Sequence, residues 1–355
     1  MNILHIIFSF NNGGSENLIV DLLNNWNGQD KVYLCIVNNF YDQLLLNKIK
    51  AKNVEIIKLN RKPGSSRFTG MKELRRIVRE KRIDIIHCHS TSVFEYAFLA
   101  LGFPIRFKYV LTIHNMTVYT TMNKTRVLFH RIFLHKITAI SEAVKESICK
   151  QGFPARKITV IYNGIDLTKY KRKIWNGTAK QIICIGRMIP KIKGQDILIQ
   201  AMKKVHEVYP EIICVFVGGD PEGENNIEIM KKLSKDFNLE GVIKFVGNCH
   251  NVPKLLAESD LQVVPSREEG FGLVVVEGMA TGLPVICSYT GGPIEIIQDN
   301  INGYFFEVEN ANDLAKKIIK VLSTPQKRII ENAYKMVKDR FDIITTVTMM
   351  REVYQ

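Results

Sequence analysis

The chain has no run approaching ~18 consecutive apolar residues, the length a membrane-crossing helix needs. Its opening, MNILHIIFSF, lacks a basic leader region and a cleavage-site pattern. It reads as a first strand rather than a signal peptide. No C-x-x-C occurs among the seven cysteines, Cys35, Cys88, Cys149, Cys184, Cys214, Cys249 and Cys287. An odd number of thiols without paired spacing argues against a disulfide or zinc framework. Cys35, Cys184, Cys214 and Cys287 sit in apolar strand-like runs, where reduced cysteine acts as a small hydrophobe. A reducing cytoplasm is the expected compartment. G-x-G-x-x-G is absent, which weakens a dinucleotide reading. So are nucleic-acid motifs and aromatic platforms, and no nucleic-acid partner is expected.

What is present is ordinary in amount and uneven in place. Hydrophobic content of 46% and charged content of 24% over 355 residues fit a soluble globular chain of two domains. The net charge is +14. Residues 1–170 hold 25 Lys+Arg against 12 Asp+Glu, while residues 171–355 hold 24 against 23. The excess therefore belongs to the first half. It suggests an anionic partner there, such as a membrane surface, or else a solvated basic face.

Residues 261–297, LQVVPSREEGFGLVVVEGMATGLPVICSYTGGPIEII, organise the rest. They read as strand, loop, helix, strand, loop and helix start. Gly270 and Gly272 bracket Phe271 at the first helix start. Backbone N–H groups there have no intrahelical partner, and glycine lets a phosphate approach them closely. Glu269 lies in the loop and Glu277 about two turns into the helix. Helical side chains tilt toward the N-terminus, so Glu277 reaches back toward the same crevice. Two carboxylates suit hydroxyl-rich groups flanking a phosphate, a sugar on one side and a ribose on the other.

Glu269 and Glu277, within SREEGFGLVVVEGMATGLPVI, resemble the E-x7-E motif of retaining glycosyltransferases of the GT-B fold, family 4. The resemblance extends over nearly the whole chain. It implies an α/β protein of two doubly wound, Rossmann-like domains facing across a cleft. The expected acceptor domain is 1–168 and the nucleotide-sugar domain 178–332. A last helix within 333–355 is expected to cross back to the first domain.

Taken in order, residues 2–8 read as a strand, followed by Asn11-Asn12-Gly13-Gly14-Ser15-Glu16 and a helix. Gly13 and Gly14 resemble the family's Gly-Gly loop, whose backbone approaches the donor phosphates and the acceptor. Glu16 serves either as helix N-terminal charge or as a ligand contact. A basic stretch, 61–82, includes Arg67, Arg75, Arg76 and Arg79. Its part 71–83 is amphipathic about Leu74, Ile77 and Val78, which fits either an anionic membrane surface or a packed helix with a wet face. Strand 83–87 ends in His87-Cys88-His89; alternation puts the two histidines on one face, with no further ligand nearby in sequence, so no metal is expected. His114 ends strand 109–113, over the crevice of an open sheet, and in the family a histidine here contacts the donor sugar. Residues 126–136, RVLFHRIFLHK, with Arg126 and Arg131, form a second membrane-surface candidate.

Residues 162–166, YNGID, resemble the family's N-G-[IV]-D, and 167–178 read as the linker. Gly186-Arg187 and Lys193-Gly194 resemble its G-R-x(n)-K-G. Arg187 and Lys193 would neutralise the donor diphosphate, one as a fork and one as a point charge. Lys191 is set aside because no glycine follows it. Asn248 borders the expected nucleobase region, and 331–355 read as a late helix.

The resemblance thus implies transfer of a sugar from a nucleotide diphosphate sugar to a saccharide. Arg187, Lys193, Glu269 and His114 would be catalytic. Donor contacts would come from Gly13, Gly14, Arg187, Lys193, Asn248, Glu269, Gly270, Phe271, Gly272, Leu273, Val274 and Glu277. The cations would stand in for a metal, in keeping with the absence of D-x-D, so no metal or cofactor is expected. UDP-sugar is the expected donor and GDP-mannose the second. The basic first half fits a polyprenyl-diphosphate-linked acceptor in capsule, O-antigen or exopolysaccharide assembly, and a location peripheral to the inner face of the plasma membrane. Two competing classes are a non-hydrolysing sugar-nucleotide epimerase, against which the paired glutamates argue, and a non-catalytic nucleotide-sugar or anionic-surface binding module. The latter would tolerate loss of Arg187, Lys193 or Glu277, and all three are intact.

Overall fold

A computed structural model describes residues 1–62, 64–66, 68–103, 106–174 and 179–355. Arg67 and the last four residues of the expected linker lie outside them. The chain divides into two compact units, one of Met1–Gly164 with Ile343–Gln355, the other Ile165–Asp342.

In the first unit the elements run β1 (Asn2–Ile7), α1 (Gly14–Asn24), β2 (Lys31–Asn38), α2 (Gln43–Leu46), β3 (Val54–Arg61), α3 (Met71–Glu80), β4 (Ile85–Cys88), α4 (Thr91–Leu101), β5 (Lys108–Ile113), α5 (Lys124–Phe133), β6 (Lys136–Ala139), α6 (Glu142–Lys150) and β7 (Ile158–Val160). The seven strands pair in the order β3-β2-β1-β4-β5-β6-β7, all parallel. Parallel strands covered on both faces need continuous apolar runs, and β1, NILHII, supplies one. Helices start where short polar side chains cap them. Ser90 accepts from the Val93 amide and Ser141 from the Val144 amide. Helix α3 buries Met71, Leu74 and Ile77 and turns its cations outward.

The second unit contains β8 (Gln181–Ile185), α7 (Pro190–Lys193), α8 (Gln195–Val208), β9 (Ile213–Val217), α9 (Asn226–Asp236), β10 (Ile243–Gly247), α10 (Val252–Ala257), β11 (Leu261–Val264), α11 (Leu273–Thr281), β12 (Val285–Ser288), β13 (Tyr304–Phe306), α12 (Ala311–Ser323) and α13 (Lys327–Arg340). Its strands pair in parallel as β10-β9-β8-β11-β12-β13. Both sheets thus follow the doubly wound order, which reverses between β1 and β4 in one and between β8 and β11 in the other. Ligands of such sheets bind outside the carboxyl ends of the strands at that reversal.

The expected late helix over 331–355 is two helices, α13 and α14 (Ile343–Tyr354). They break at Phe341-Asp342, where Phe341 packs its ring on Phe271 and its carbonyl accepts from the Ile165 amide. Helix α13 stays with the second unit, its Asn332 donating to the Ile301 carbonyl. Helix α14 belongs to the first unit. Thr346 donates to the Tyr162 carbonyl, and Arg351 pairs with Asp30 at 3.1 Å. The two units accordingly divide after residue 164 and after residue 342. Among the described residues no helix is long and apolar enough to cross a membrane.

Candidate functional site

Three segments of the second unit converge at its strand reversal. The first follows β8. Arg187 is exposed, with no ion pair or side-chain hydrogen bond among the described residues. Its carbonyl accepts from Gln195 Nε2. Lys193 closes α7, half-buried, and Lys191 is exposed. Gly194 follows with φ +65, and a Cβ there would sit 1.9 Å from the Pro265 carbonyl oxygen. Only glycine lets this turn lie against the end of β11, so the glycine that singled out Lys193 in the sequence has a structural cause.

The second segment is the loop after β11. Lys193 Nζ lies 2.7 Å from Glu269 Oε2, and Ser266 Oγ donates to the same oxygen at 3.3 Å. The Lys193 and Glu269 side chains are 23% and 15% exposed, so the pair is shielded yet reachable. Arg267, absent from the sequence-based site, holds the loop in place. Its Nη1 and Nη2 bond the two Asp196 oxygens at 2.8 and 2.9 Å. Nη2 also bonds Glu309 Oε2 at 2.7 Å, Nε bonds Glu309 Oε1, and Nη1 bonds the Pro190 carbonyl. Hydrogen bonds to Asp196, then to Glu309, hold the guanidinium further above its ordinary pKa.

The third segment is α11. Gly272 begins it at φ +95, a conformation that favours glycine. Val275, Val276, Gly278, Met279, Ala280 and Thr281 are buried, while Leu273, Val274 and Glu277 are half-buried at three- and four-residue spacing. Glu277 Oε1 accepts from the Tyr170 hydroxyl at 2.9 Å. Phe271 contributes backbone only, because its ring is buried against Phe341. Gly270 is half-buried in the same turn, and Gly292 donates to the Glu269 carbonyl at 2.9 Å. Asn248, exposed, accepts from the Gly219 amide at 2.9 Å and so ties together the ends of β9 and β10. Thus Lys193 and Glu269 are in direct contact, Glu277 stands on the adjoining helix, and Arg187 flanks them without touching either.

The first unit arranges its strand ends differently. Gly13 caps α1, and Glu16 lies in its first turn, accepting from Ser15 Oγ at 2.8 Å. That position fits the helix N-terminal charge reading. Gly14 is exposed with open space about it. His114 Nε2 is buried without a hydrogen-bond partner among the described residues, and burial pushes its pKa down to about 4. His114 lines a cavity of about 20 Å³ with His89, Thr112, Thr138, Asn163 and Thr346, just roomy enough for one water molecule.

Behind His114 lies a group that sequence spacing did not reveal. His5 on β1 is in register with His87 on β4, and His5 Nδ1 stands 3.0 Å from His89 Nε2. The parallel pairing of distant strands makes this trio. Its ligand-capable atoms lie within 4.8 Å of one another. It is nevertheless a poor metal ligand set. His87 Nδ1 already bonds the Tyr354 hydroxyl and His87 Nε2 bonds Thr112 Oγ1. Its ring is also stacked on that of His89, at 10°, so the in-plane lone pairs of the two rings lie in separate, nearly parallel planes. Desolvation holds His5 near about 3 and His87 and His89 well below the ordinary imidazole value. All are neutral at pH 7.

Among the surface cations, Arg75 donates to the Ala100 carbonyl, Arg76 pairs with Glu73 and Glu80, and Arg126 with Glu95. Arg79 and Arg131 are exposed. The exposed apolar side chains Leu99, Phe103, Leu128 and Ile132 gather about α4 and α5. Beneath them the rings of Phe98, Phe129 and Phe133 pack together at 4.6–5.1 Å, and Phe103 packs on Phe133 at 5.4 Å.

Two parallel sheets built on one strand order, the second carrying a cation–carboxylate pair and a glycine-opened helix at its reversal, define a doubly wound α/β protein. The family described as glycosyl transferases group 1 matches residues 168–336, and glycosyltransferase family 4 matches residues 12–169. An uncharacterized glycosyltransferase of Methanocaldococcus jannaschii is 30% identical over 315 residues, 82% of this chain and 83% of the relative. The UDP-Gal:alpha-D-GlcNAc-diphosphoundecaprenol alpha-1,3-galactosyltransferase of Escherichia coli is 26% identical over 79% of this chain and 77% of its own. The crystal structure of HepE of Anabaena, in complex with UDP and glucose, superposes with a TM-score of 0.83 at 24% identity, covering 99% of this chain and 98% of the other. That likeness establishes the fold, GT-B. The chain belongs to glycosyltransferase family 4 and is a glycosyltransferase.

Proposed function

We propose that the protein transfers a sugar from a UDP-sugar to a saccharide acceptor with retention of configuration and without a metal. The observation that carries this reading is the Lys193–Glu269 pair at the β8/β11 reversal, with Glu277 on the next helix. A diphosphate draws Lys193 away from Glu269. The freed carboxylate then accepts from sugar hydroxyls, while Glu277 accepts from the ribose. Arg187, Lys193 and the amides of residues 272–274 meet the charge that grows on the departing diphosphate, and the leaving phosphate helps take the acceptor proton. Preorganised donors of this kind act without needing an ion. In the same reading His114 contacts the sugar, and the backbone of Gly13 and Gly14 serves the phosphates and acceptor. The HepE complexes with UDP and the donor named for the E. coli relative support UDP over GDP.

The acceptor in this reading is a polyprenyl-diphosphate-linked saccharide, used in capsule, O-antigen or exopolysaccharide assembly at the inner face of the plasma membrane. The E. coli relative acts on such a lipid by its name. The Leu99, Phe103, Leu128 and Ile132 surface supports it too, because apolar side chains interleaved with Lys124 and Arg131 suit an anionic bilayer. Thermal-shift titration with UDP, GDP and their sugars tests the donor. A selective UDP shift that Glu277→Ala abolishes is expected. A shift with GDP alone would move the donor class. A UDP-sugar interconverted in the absence of acceptor would replace transfer with epimerisation.

A further inference from the structure

We infer that Arg267 is a positioning residue that sets the Lys193–Glu269 pair from behind; the inference rests on the donor reading above. Glu269 sits two residues beyond Arg267, and Lys193 lies between the two places where Arg267 grips the preceding segment. On one side its Nη1 bonds the Pro190 carbonyl, at the start of α7. On the other it forks onto Asp196, in the first turn of α8. The Arg267 and Glu268 amides both donate to the Ile192 carbonyl, at 2.8 and 3.3 Å. The β11 loop and the α7–α8 turn are therefore sewn together at residues 190, 192 and 196, with Lys193 held inside the seam. Glu309 closes the clamp from the segment before α12. Thr290 Oγ1 donates to the Arg267 carbonyl, and Gly292 to that of Glu269, so the far end of the loop is fixed as well.

A planar guanidinium can make this set of contacts and an ammonium cannot, because only the fork reaches both Asp196 oxygens while Nε stays on Glu309. The clamp touches neither of the groups assigned to substrate. Its consequence is positional. Without it Glu269 and Lys193 keep their chemistry but lose the shared frame that holds them 2.7 Å apart, and misplacement on the scale of 1 Å costs about 100-fold in rate.

Initial rates with the UDP-sugar selected by thermal shift, together with UDP titration, test this on the full chain. Arg267→Gln is expected to lower kcat/KM at least tenfold, while the UDP-induced shift is reduced but retained, since Lys193 keeps its charge and UDP lacks the sugar that Glu269 holds. Arg267→Lys, which keeps the charge and loses the fork, recovers only part of the activity. In a background carrying both Lys193→Ala and Glu269→Gln the same Arg267→Gln change should cost less than twofold, because both of its targets are already gone. A full tenfold loss in that background would overturn the inference, as would loss of the UDP shift in Arg267→Gln itself, which marks general collapse of the site. Should Arg267→Gln fail to fold, Asp196→Asn and Arg267→Lys carry the same two-background comparison with the clamp partly kept. An unaltered protein with neither UDP shift nor turnover overturns the donor reading instead, and is recognised before any variant is made.

Discussion

At the reversal between β1 and β4 the first unit buries neutral imidazoles. At the reversal between β8 and β11 the second unit holds Lys193, Arg267, Asp196, Glu269 and Glu309 in ion pairs. The two sheets have the same strand order, so the order alone does not explain the difference. Topology brings strand ends together; residue chemistry decides what they meet. Charged groups kept partly in solvent retain their charge and can exchange a protein partner for a phosphate. Imidazoles sealed in a core lose theirs, because desolvation disfavours the cation. The second unit thus keeps charged side chains within reach of solvent, and the first keeps a buried neutral wall behind His114.

Removing the charge from the second reversal should give the largest effect. Lys193→Ala takes away the point charge assigned to the leaving diphosphate and leaves Glu269 with Ser266 alone. Turnover should fall by about 10²–10³-fold, the scale set by losing one preorganised stabilising donor. Initial-rate measurement with the UDP-sugar checks it. Unchanged turnover would make the Lys193–Glu269 pair structural and erase the functional contrast between the units.

The first unit should respond to pH through its buried imidazoles. His5 and His87 have folded pKa values lowered below the unfolded value of about 6.5, to about 3 for His5. The unfolded chain therefore takes up protons first. Stability is at its full value above pH 6.5 and falls as pH drops below it, by about 1.4 kcal/mol per pH unit for each such histidine. His5 and His87 together should remove about 3 kcal/mol by pH 5.5. His89 and His114, lowered by burial as well, deepen the loss. Urea unfolding followed by Trp26 fluorescence reports on this unit, since Trp26 packs edge-on against His5 at 6.3 Å; Trp175→Phe removes the other tryptophan. A midpoint independent of pH between 8 and 5.5 would show that these imidazoles take up protons as readily in the folded as in the unfolded chain and that the wall is not held neutral.

How much of this was legible in the sequence differs between the units for the same physical reason. Glycines at 194, 270 and 272 and the charges at 193, 269 and 277 lie in local motifs, so the second site could be nominated residue by residue. Arg267 stands in the same motif, but the sequence does not single it out, because its partners Asp196 and Glu309 are 71 and 42 residues away. In the first unit Glu16 is visible at a helix start and His114 at a strand end. His5 was not joined to His87 and His89, since their meeting depends on strand register across 82 residues of chain. The late helix reads as one piece in the sequence for a related reason. Its apolar spacing continues through Phe341, and only tertiary contacts to Phe271 and Ile165 break it there.

A smaller change tests the histidine wall without touching charge. Tyr354→Phe removes the hydroxyl that bonds His87 Nδ1 and leaves that nitrogen buried without it. The cost should be about 1–3 kcal/mol, the penalty of an unmet buried polar group. Because Tyr354 lies on α14, the loss should appear in the unfolding of the first unit and leave the UDP shift of the second unchanged. A loss confined to the second unit would contradict the assignment of α14 to the first.

The least effect is expected two residues from the largest. Lys191 and Lys193 share α7, and a helix turns by about 100° per residue, so side chains two apart point away from each other. Lys193 turns in toward Glu269; Lys191 is exposed and has no ion pair among the described residues. Lys191→Ala should leave turnover within about twofold and stability within about 0.5 kcal/mol, as for surface substitutions in general. Measured beside Lys193→Ala, it separates a located charge from a merely basic neighbourhood. If the two variants lost similar activity, the diphosphate would be attracted by the summed field of the segment, and the contrast between the reversals would be one of net charge. If only Lys193→Ala loses activity, the contrast is one of placement, which the Arg267 clamp and the Gly194 turn together enforce.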